Sequence, residues 1–265
     1  MVSSNQKCPL CGGTTWILKE CDNLKVGQRC ECFLNALKEQ TIQNANIPER
    51  YKNCYLGNFD TGGNPNLIEV ENQIRQYIVS FPGNNQGLLL QGPPGVGKTH
   101  LSVGILHYLI EDKGIPCIFC DFRELLHSIR STYDHDSQLS ASTVVAPILS
   151  TQLLVLDDLG AEKTTQWVRD TLMFILNHRY NHVLPTIITT NFPDRNDLEY
   201  SSYRDHWQEQ EETLEDRIGN RLRSRLYEMC IKICIEASDY RTKSNNQAFQ
   251  KGIRGRLELR QGDAL

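Results

Sequence analysis

At 265 residues, 39% hydrophobic and 23% charged, the chain is long enough for one α/β domain of ordinary size and a small appendage. Its net charge of −4 excludes strong indiscriminate binding to duplex DNA and leaves only local basic surfaces for nucleic acid. No apolar run approaches the ~20 residues of a membrane span, and no basic-then-apolar leader precedes the first cysteines, so the expectation is no membrane contact, a cytoplasmic setting and reduced thiols.

Of ten cysteines, five fall within the first 32 residues, a clustering that in a reducing setting points to metal. Cys8-Pro9-Leu10-Cys11 is a C-x2-C knuckle followed by Gly12-Gly13, and Cys30-Glu31-Cys32 is a second close pair, with 18 residues between Cys11 and Cys30. Thiolates of Cys8, Cys11, Cys30 and Cys32 at this spacing suit tetrahedral Zn²⁺ in a zinc-ribbon-like module, with an iron–sulfur cluster as the alternative. Cys21 falls within the intervening hairpin and reads as a bystander. Residues 1–40 are the predicted zinc-binding module. The stretch 41–65, interrupted at Ile47-Pro48 and again at Thr61-Gly62-Gly63, reads as a linker.

From 66 to 265 strands alternate with helices. Leu67, Val70, Ile74, Tyr77, Ile78 and Phe81 recur at helical spacing until Pro82-Gly83 stops them. The apolar run Leu88-Leu89-Leu90 then leads into Gly92-Pro93-Pro94-Gly95-Val96-Gly97-Lys98-Thr99, the G-x-x-x-x-G-K-S/T phosphate-binding loop, and a helix is predicted over 99–113. Around Gly92, Gly95, Val96 and Gly97 backbone N–H groups turn toward phosphate. Lys98 reaches the β- and γ-phosphates and Thr99 binds Mg²⁺ through its hydroxyl. ATP with Mg²⁺ is the expected ligand. Further strands at 117–121, 153–156 and 186–190 alternate with helices at 123–133, 142–149 and 165–181, which implies a parallel sheet covered on both faces. Cys117 and Cys120, three apart on a strand, face opposite sides and read as core.

Leu153-Leu154-Val155-Leu156-Asp157-Asp158 places two carboxylates at the C-terminal end of a buried strand, where ligands bind in such sheets. Asp157 is the candidate to hold Mg²⁺, and Asp158 to orient and deprotonate the attacking water. Asn191, at the end of the 186–190 strand, can touch both the γ-phosphate and that water. Downstream, Arg221, Arg223 and Arg225 stand at spacing two around a helix, so at least one points outward without a partner in its own chain, as an arginine offered to a neighbouring subunit requires.

With these residues assembled, the chain resembles AAA+ P-loop ATPases, and within them the DnaC/DnaI/IstB group of helicase loaders and transposition helper ATPases. The likeness is carried by Leu156-Asp157-Asp158-Leu159-Gly160-Ala161-Glu162, by Asn191-Phe192-Pro193, and by Arg221-Leu222-Arg223-Ser224-Arg225-Leu226 followed by Ser238-Asp239-Tyr240-Arg241. The cysteine module resembles that of bacterial loader-type proteins. The resemblance implies an ATPase in which Asn191 is sensor 1, Arg225 is the arginine finger with Arg221 as runner-up, and Arg241 stands near sensor 2. It also implies copies that self-associate in a spiral on single-stranded DNA while the N-terminal segment engages a replicative hexameric helicase. DNA contacts are then expected near 122–133 and 142–149, through Phe122, Arg123, Arg130 and Tyr133. Two departures stand out. Asp158 occupies a place where many AAA+ proteins have glutamate, and only 74 residues follow Asn191, with a polar stretch at 194–213, which suggests a truncated C-terminal lid. The leading reading is an ATP-dependent helicase loader. A transposition helper ATPase and an ATP-binding scaffold with little hydrolysis are the alternatives.

Overall fold

The computed structural model describes residues 8–21, 24–132, 140–162, 165–194 and 212–242. Strand β1 (Trp16–Cys21) pairs antiparallel with β2 (Leu24–Arg29), and helix α1 (Glu31–Asn44) follows at once. Strand β2 is exposed along its whole length, and a lone two-stranded ribbon is marginal in water, so this module has no core of its own beyond its cysteines. Arg29 is stacked between Trp16 and Phe33, its guanidinium 4.0 and 4.2 Å from the two ring centres.

Helix α1 ends at Ala45, whose carbonyl accepts a 2.7 Å bond from the N–H of Phe119 on an edge strand of the main sheet. Ala45, Ile47 and Leu56 are all buried in the core of the following domain. The segment expected as a linker is thus packed onto the sheet rather than suspended between modules.

Helix α2 (Pro65–Ser80) starts where the Asn64 side chain accepts from the N–H of Asn66, with proline in the first turn where its missing N–H costs nothing. There follow β3 (Gly87–Gln91), α3 (Lys98–Lys113), β4 (Cys117–Asp121), α4 (Phe122–Ser131), α5 (Ala141–Ser150), β5 (Leu153–Asp157), α6 (Gln166–Asn181), β6 (Thr186–Thr190), α7 (Leu214–Ile218), α8 (Asn220–Met229) and β7 (Cys230–Cys234). The five main strands lie in the order β4-β5-β6-β3-β7, every neighbouring pair parallel. Alternation sorts their side chains into two cores. Leu88, Leu90 and Val155 pack with Ile74 and Leu101 of α2 and α3, while Leu89, Leu154 and Leu156 pack with Leu125, Leu172 and Leu226 of α4, α6 and α8. Cys117 and Cys120 lie on opposite sides of this division. Because β6 sits between β3 and β5, the ends of the phosphate-loop strand, the acidic strand and the Asn191 strand meet along one edge of the sheet. The truncated lid expected after Asn191 falls largely on 195–211 and 243–265, outside the described residues.

Candidate functional site

The phosphate loop leaves β3 and enters α3 through two glycines in the left-handed region, Gly95 at φ 80° and Gly97 at φ 98°. A side chain at either would be strained in backbone and crowded in space. A Cβ at Gly97 would stand 2.6 Å from the Phe59 ring, and one at Gly95 would run into the Asp239 carboxylate. Lys98 is buried, and its ammonium donates to the carbonyls of Gly92 (2.7 Å) and Pro93 (2.8 Å). Burial brings its pKa down to about 8, although Asp157 and Asp158 favour the charged form.

Across the edge, Thr99 Oγ1 lies 3.1 Å from both carboxylate oxygens of Asp157, which also accepts 2.6 Å from Thr189 Oγ1. Burial pushes Asp157 up to about 6 against these two hydrogen bonds. Asp158 adopts the left-handed conformation, φ 59°, so that the two successive acids diverge. Its N–H donates to Thr189 Oγ1 at 2.9 Å, and its carboxylate accepts from Asn191 Nδ2 at 2.8 Å. Burial raises its pKa as well.

These groups border one cavity of about 790 Å³, within the range of nucleotide-sized pockets. The glycine loop, Lys98, Thr99, Asp157, Asp158 and Asn191 form its polar end, and Arg241 stands at its margin. Arg50, Tyr51, Phe59 and Asn64 also line it, Phe59 directly against Gly97 of the loop. Sequence reasoning missed this part of the lining, because isolated aromatic and polar residues between 41 and 65 carry no spacing that marks a binding surface. The donor set fits a nucleotide triphosphate with its cation: one ammonium held only by neutral carbonyls, and a hydroxyl–carboxylate pair facing each other across the loop.

At the front of the chain, the sulfurs of Cys8, Cys11, Cys30 and Cys32 all lie within 4.8 Å of one another, with Cys8–Cys30 at 3.8 Å and Cys11–Cys32 at 3.5 Å. Zinc–sulfur bonds of about 2.3 Å in a tetrahedron put sulfurs about 3.8 Å apart, so the group reaches a zinc tetrahedron with shifts of no more than about 1 Å. Burial opposes ionisation of Cys11, but the Gly13 N–H and the neighbouring thiols pull it down to about 6; its sulfur in turn pushes Cys32 up to about 12. One thiolate is already favoured. Against the pull of the Cys32 N–H, burial and the neighbouring thiols also raise Cys30, and both Cys30 and Cys32 give up their protons on binding a cation.

On α8, Arg223 forks onto Asp194, and Arg225 pairs with Glu228 at 3.0 Å while lying 4.1 Å over the Tyr180 ring. Arg221 is exposed and makes no ion pair or hydrogen bond among the described residues.

A family profile described as IstB-like ATP binding protein matches residues 69–248, more than half of the chain. The chain belongs to this family. It is an AAA+ protein of the DnaC/IstB type. Over 134 residues it is 31% identical to the replicative helicase loader DnaI of Bacillus subtilis, covering 49% of this chain and 42% of that one. Over 159 residues it is 24% identical to the replicative helicase loader DnaC of Escherichia coli K12, covering 58% and 61%. A crystal structure of the DnaC helicase loader superposes with a TM-score of 0.60 at 32% identity, covering 71% of this chain and 100% of that one. The chain spans about half the length of the curated relatives it matches.

In this IstB-like chain Gly95, Val96, Gly97, Lys98, Thr99, Asp157, Asp158, Asn191 and Arg241 line one cavity, Gly92 lies behind it with its carbonyl on Lys98, and the four front cysteines share one cluster. Other expectations need correction. Of the three arginines of α8, where the sequence predicts at least one without a partner in its own chain, Arg225 is held by Glu228 and Tyr180 and Arg223 by Asp194, whereas Arg221 makes no ion pair or hydrogen bond among the described residues. Phe122 is completely buried against the sheet and offers no ring to a nucleic-acid base. Arg123 donates to the Ala161 carbonyl at 3.2 Å, and Arg130 lies 4.8 Å over Trp167 and 3.8 Å from the Glu162 carboxylate, so the ring beside the arginines is Trp167 and one of the two cations is already paired. Tyr133 lies outside the described residues, as does the side chain of Cys21. No helix among the described residues is long and apolar enough to cross a membrane.

Proposed function

We propose that the chain is an ATP-dependent helicase loader of the DnaC/DnaI kind, which hydrolyses ATP as a conformational timer, self-associates through its ATPase domain on single-stranded DNA and delivers a replicative hexameric helicase. One observation carries this reading: Lys98, the Thr99–Asp157 pair and the Asp158–Asn191 pair converge on one cavity, in a chain whose relatives are named as loaders. Lys98 exchanges two backbone carbonyls for the phosphates. Thr99 and Asp157 hold Mg²⁺, which when bound neutralises charge on the β- and γ-phosphates. Asp158, oriented by the Asn191 amide, accepts a proton from the attacking water, and an arginine of α8 from a second copy completes the site. Zn²⁺ on Cys8, Cys11, Cys30 and Cys32 fixes the front hairpin. Its exposed Trp16 and Leu18, which share one face of the hairpin, give the helicase an apolar surface to grip.

The test is steady-state ATP hydrolysis with and without single-stranded DNA, paired with co-purification of the full chain and the host's replicative helicase. Stimulation by DNA together with helicase capture is the expected result. Absence of both sinks the loader reading. The family profile also supports a second reading, a transposition helper ATPase; stimulation by duplex DNA and capture of a transposase instead of a helicase would select it.

A further inference from the structure

Helix α8 begins after Gly219 (φ 84°), immediately after α7, with no side chain capping its first turn; Leu222, Leu226 and Met229 bury its apolar stripe and set its coarse rotation, which leaves the finer aim of its arginines to polar partners. Its arginines divide by geometry. Arg221 and Arg225, four residues apart, share one face, whereas Arg223 is turned about 200° from each and points inward. There it meets Asp194, three residues beyond Asn191 and 1% exposed. Asp194 accepts from Arg223 Nε at 3.1 Å and Nη2 at 2.8 Å, and from the Tyr227 hydroxyl one turn further along α8. A two-point fork of this kind fixes direction as well as distance, which a single ammonium cannot do. The turn that carries Asp194 is itself pinned. Gln91 Nε2, at the end of β3, donates to the Phe192 carbonyl at 2.6 Å, and the N–H of Leu214 donates to the Pro193 carbonyl at 2.8 Å.

We propose that the Asp194–Arg223 pair is a positioning device: it locks the rotation of α8 against the turn that follows Asn191, and thereby aims the Arg221/Arg225 face at the ATP site of a neighbouring copy. This rests on the proposed role of that face in trans. The pair is placed to act through geometry, because a buried ion pair contributes little net stability over an apolar substitute, while misplacing a reacting group by about 1 Å costs about 100-fold in rate.

Asp194→Asn and Arg223→Lys in the full chain test it. Each should bind ATP with the parental affinity and lose about 100-fold in DNA-stimulated kcat at unchanged KM. Mixing supplies the readout that a merely structural role would not move. Lys98→Ala chains have a dead ATP site but an intact α8, so mixing them with Asp194→Asn chains should restore hydrolysis at the Asp194→Asn sites. Mixing Asp194→Asn with the Arg221→Ala/Arg225→Ala double variant should restore nothing, since both lack the same contribution. Restoration in that second mixture, failure of the first, or loss of ATP affinity in both single variants overturns the proposal. Parental hydrolysis by Asp194→Asn overturns it alone, whereas parental hydrolysis by the double arginine variant overturns the in-trans role and the proposal with it.

Discussion

At Asp157 and Lys98, burial has set two protonation equilibria on either side of neutral pH, near 6 and near 8. Mg²⁺–nucleotide binding uses the ionised carboxylate and the charged ammonium. Below pH 6 Asp157 must first release a proton, and above pH 8 Lys98 must first gain one, so affinity should be flat between these limits and fall on both sides, by up to about tenfold per pH unit. Titration calorimetry from pH 5 to 9 checks this; affinity still rising above pH 8 would contradict it. The same shift has a consequence for stability. The folded chain holds a proton on Asp157 at pH values where the unfolded chain, with its carboxylate near 3.9, has lost it. Its contribution therefore turns unfavourable as pH rises from about 4 to 6, and the penalty is fully present above 6. Asp157→Asn should stabilise the nucleotide-free chain at pH 7 by about 2 kcal/mol while abolishing Mg²⁺-dependent nucleotide binding, as urea unfolding and calorimetry on the same variant will show. Lys98→Ala should leave the fold intact and remove ATP-dependent self-association. Unchanged nucleotide affinity in that variant would dismiss the phosphate loop as the site.

Among the elements, α5, α6 and β6 are held together by one fully buried guanidinium. Arg179 donates to Thr186 Oγ1 (2.8 Å) and to the carbonyls of Ile148 (2.8 Å), Thr151 (3.0 Å) and Pro185 (2.6 Å), all neutral partners. Arg179→Leu strands these acceptors and should cost at least about 3 kcal/mol; Arg179→Lys should recover only part, because an ammonium cannot span the same fork. Urea midpoints of the two variants measure it. This residue also marks where sequence stops being informative. The phosphate loop, the Leu153–Asp158 strand and the cysteine pairs were legible because their chemistry sits in contiguous residues whose spacing has few other uses. Arg179 in the helix pattern 165–181 looks like any surface arginine, and its role exists only once β6 and the end of α5 arrive. Strand β7 was missed for a related reason. Cys230–Cys234 is as long as the other four strands of its sheet, but Lys232 at its centre interrupts the apolar run that marks a buried strand, and its edge position shows only once β3 is there to pair with it. At 41–65 the buried Ala45, Ile47 and Leu56 follow no period, so a packed segment reads as a tether.

For the whole molecule, the front module has covalent continuity with the sheet but almost no apolar core of its own, which separates its stability from that of the ATP site. Cys8→Ser should therefore release the one Zn²⁺ per chain and loosen the hairpin while ATP affinity stays parental; Cys21→Ser should keep its zinc. Metal analysis beside nucleotide binding checks both, and zinc lost only from Cys21→Ser would overturn the ligand set. The bond from Phe119 to the Ala45 carbonyl bears on a different hazard. Open sheet edges recruit strands from other chains and so lead to irreversible aggregates. Here the β4 edge is partly occupied by the chain's own backbone, and the β7 edge carries Lys232 at its middle. With both edges of the main sheet obstructed to intermolecular backbone pairing, the proposed assembly on DNA would join copies through side chains, and an assembly joined in that way would come apart again once its nucleotide is spent.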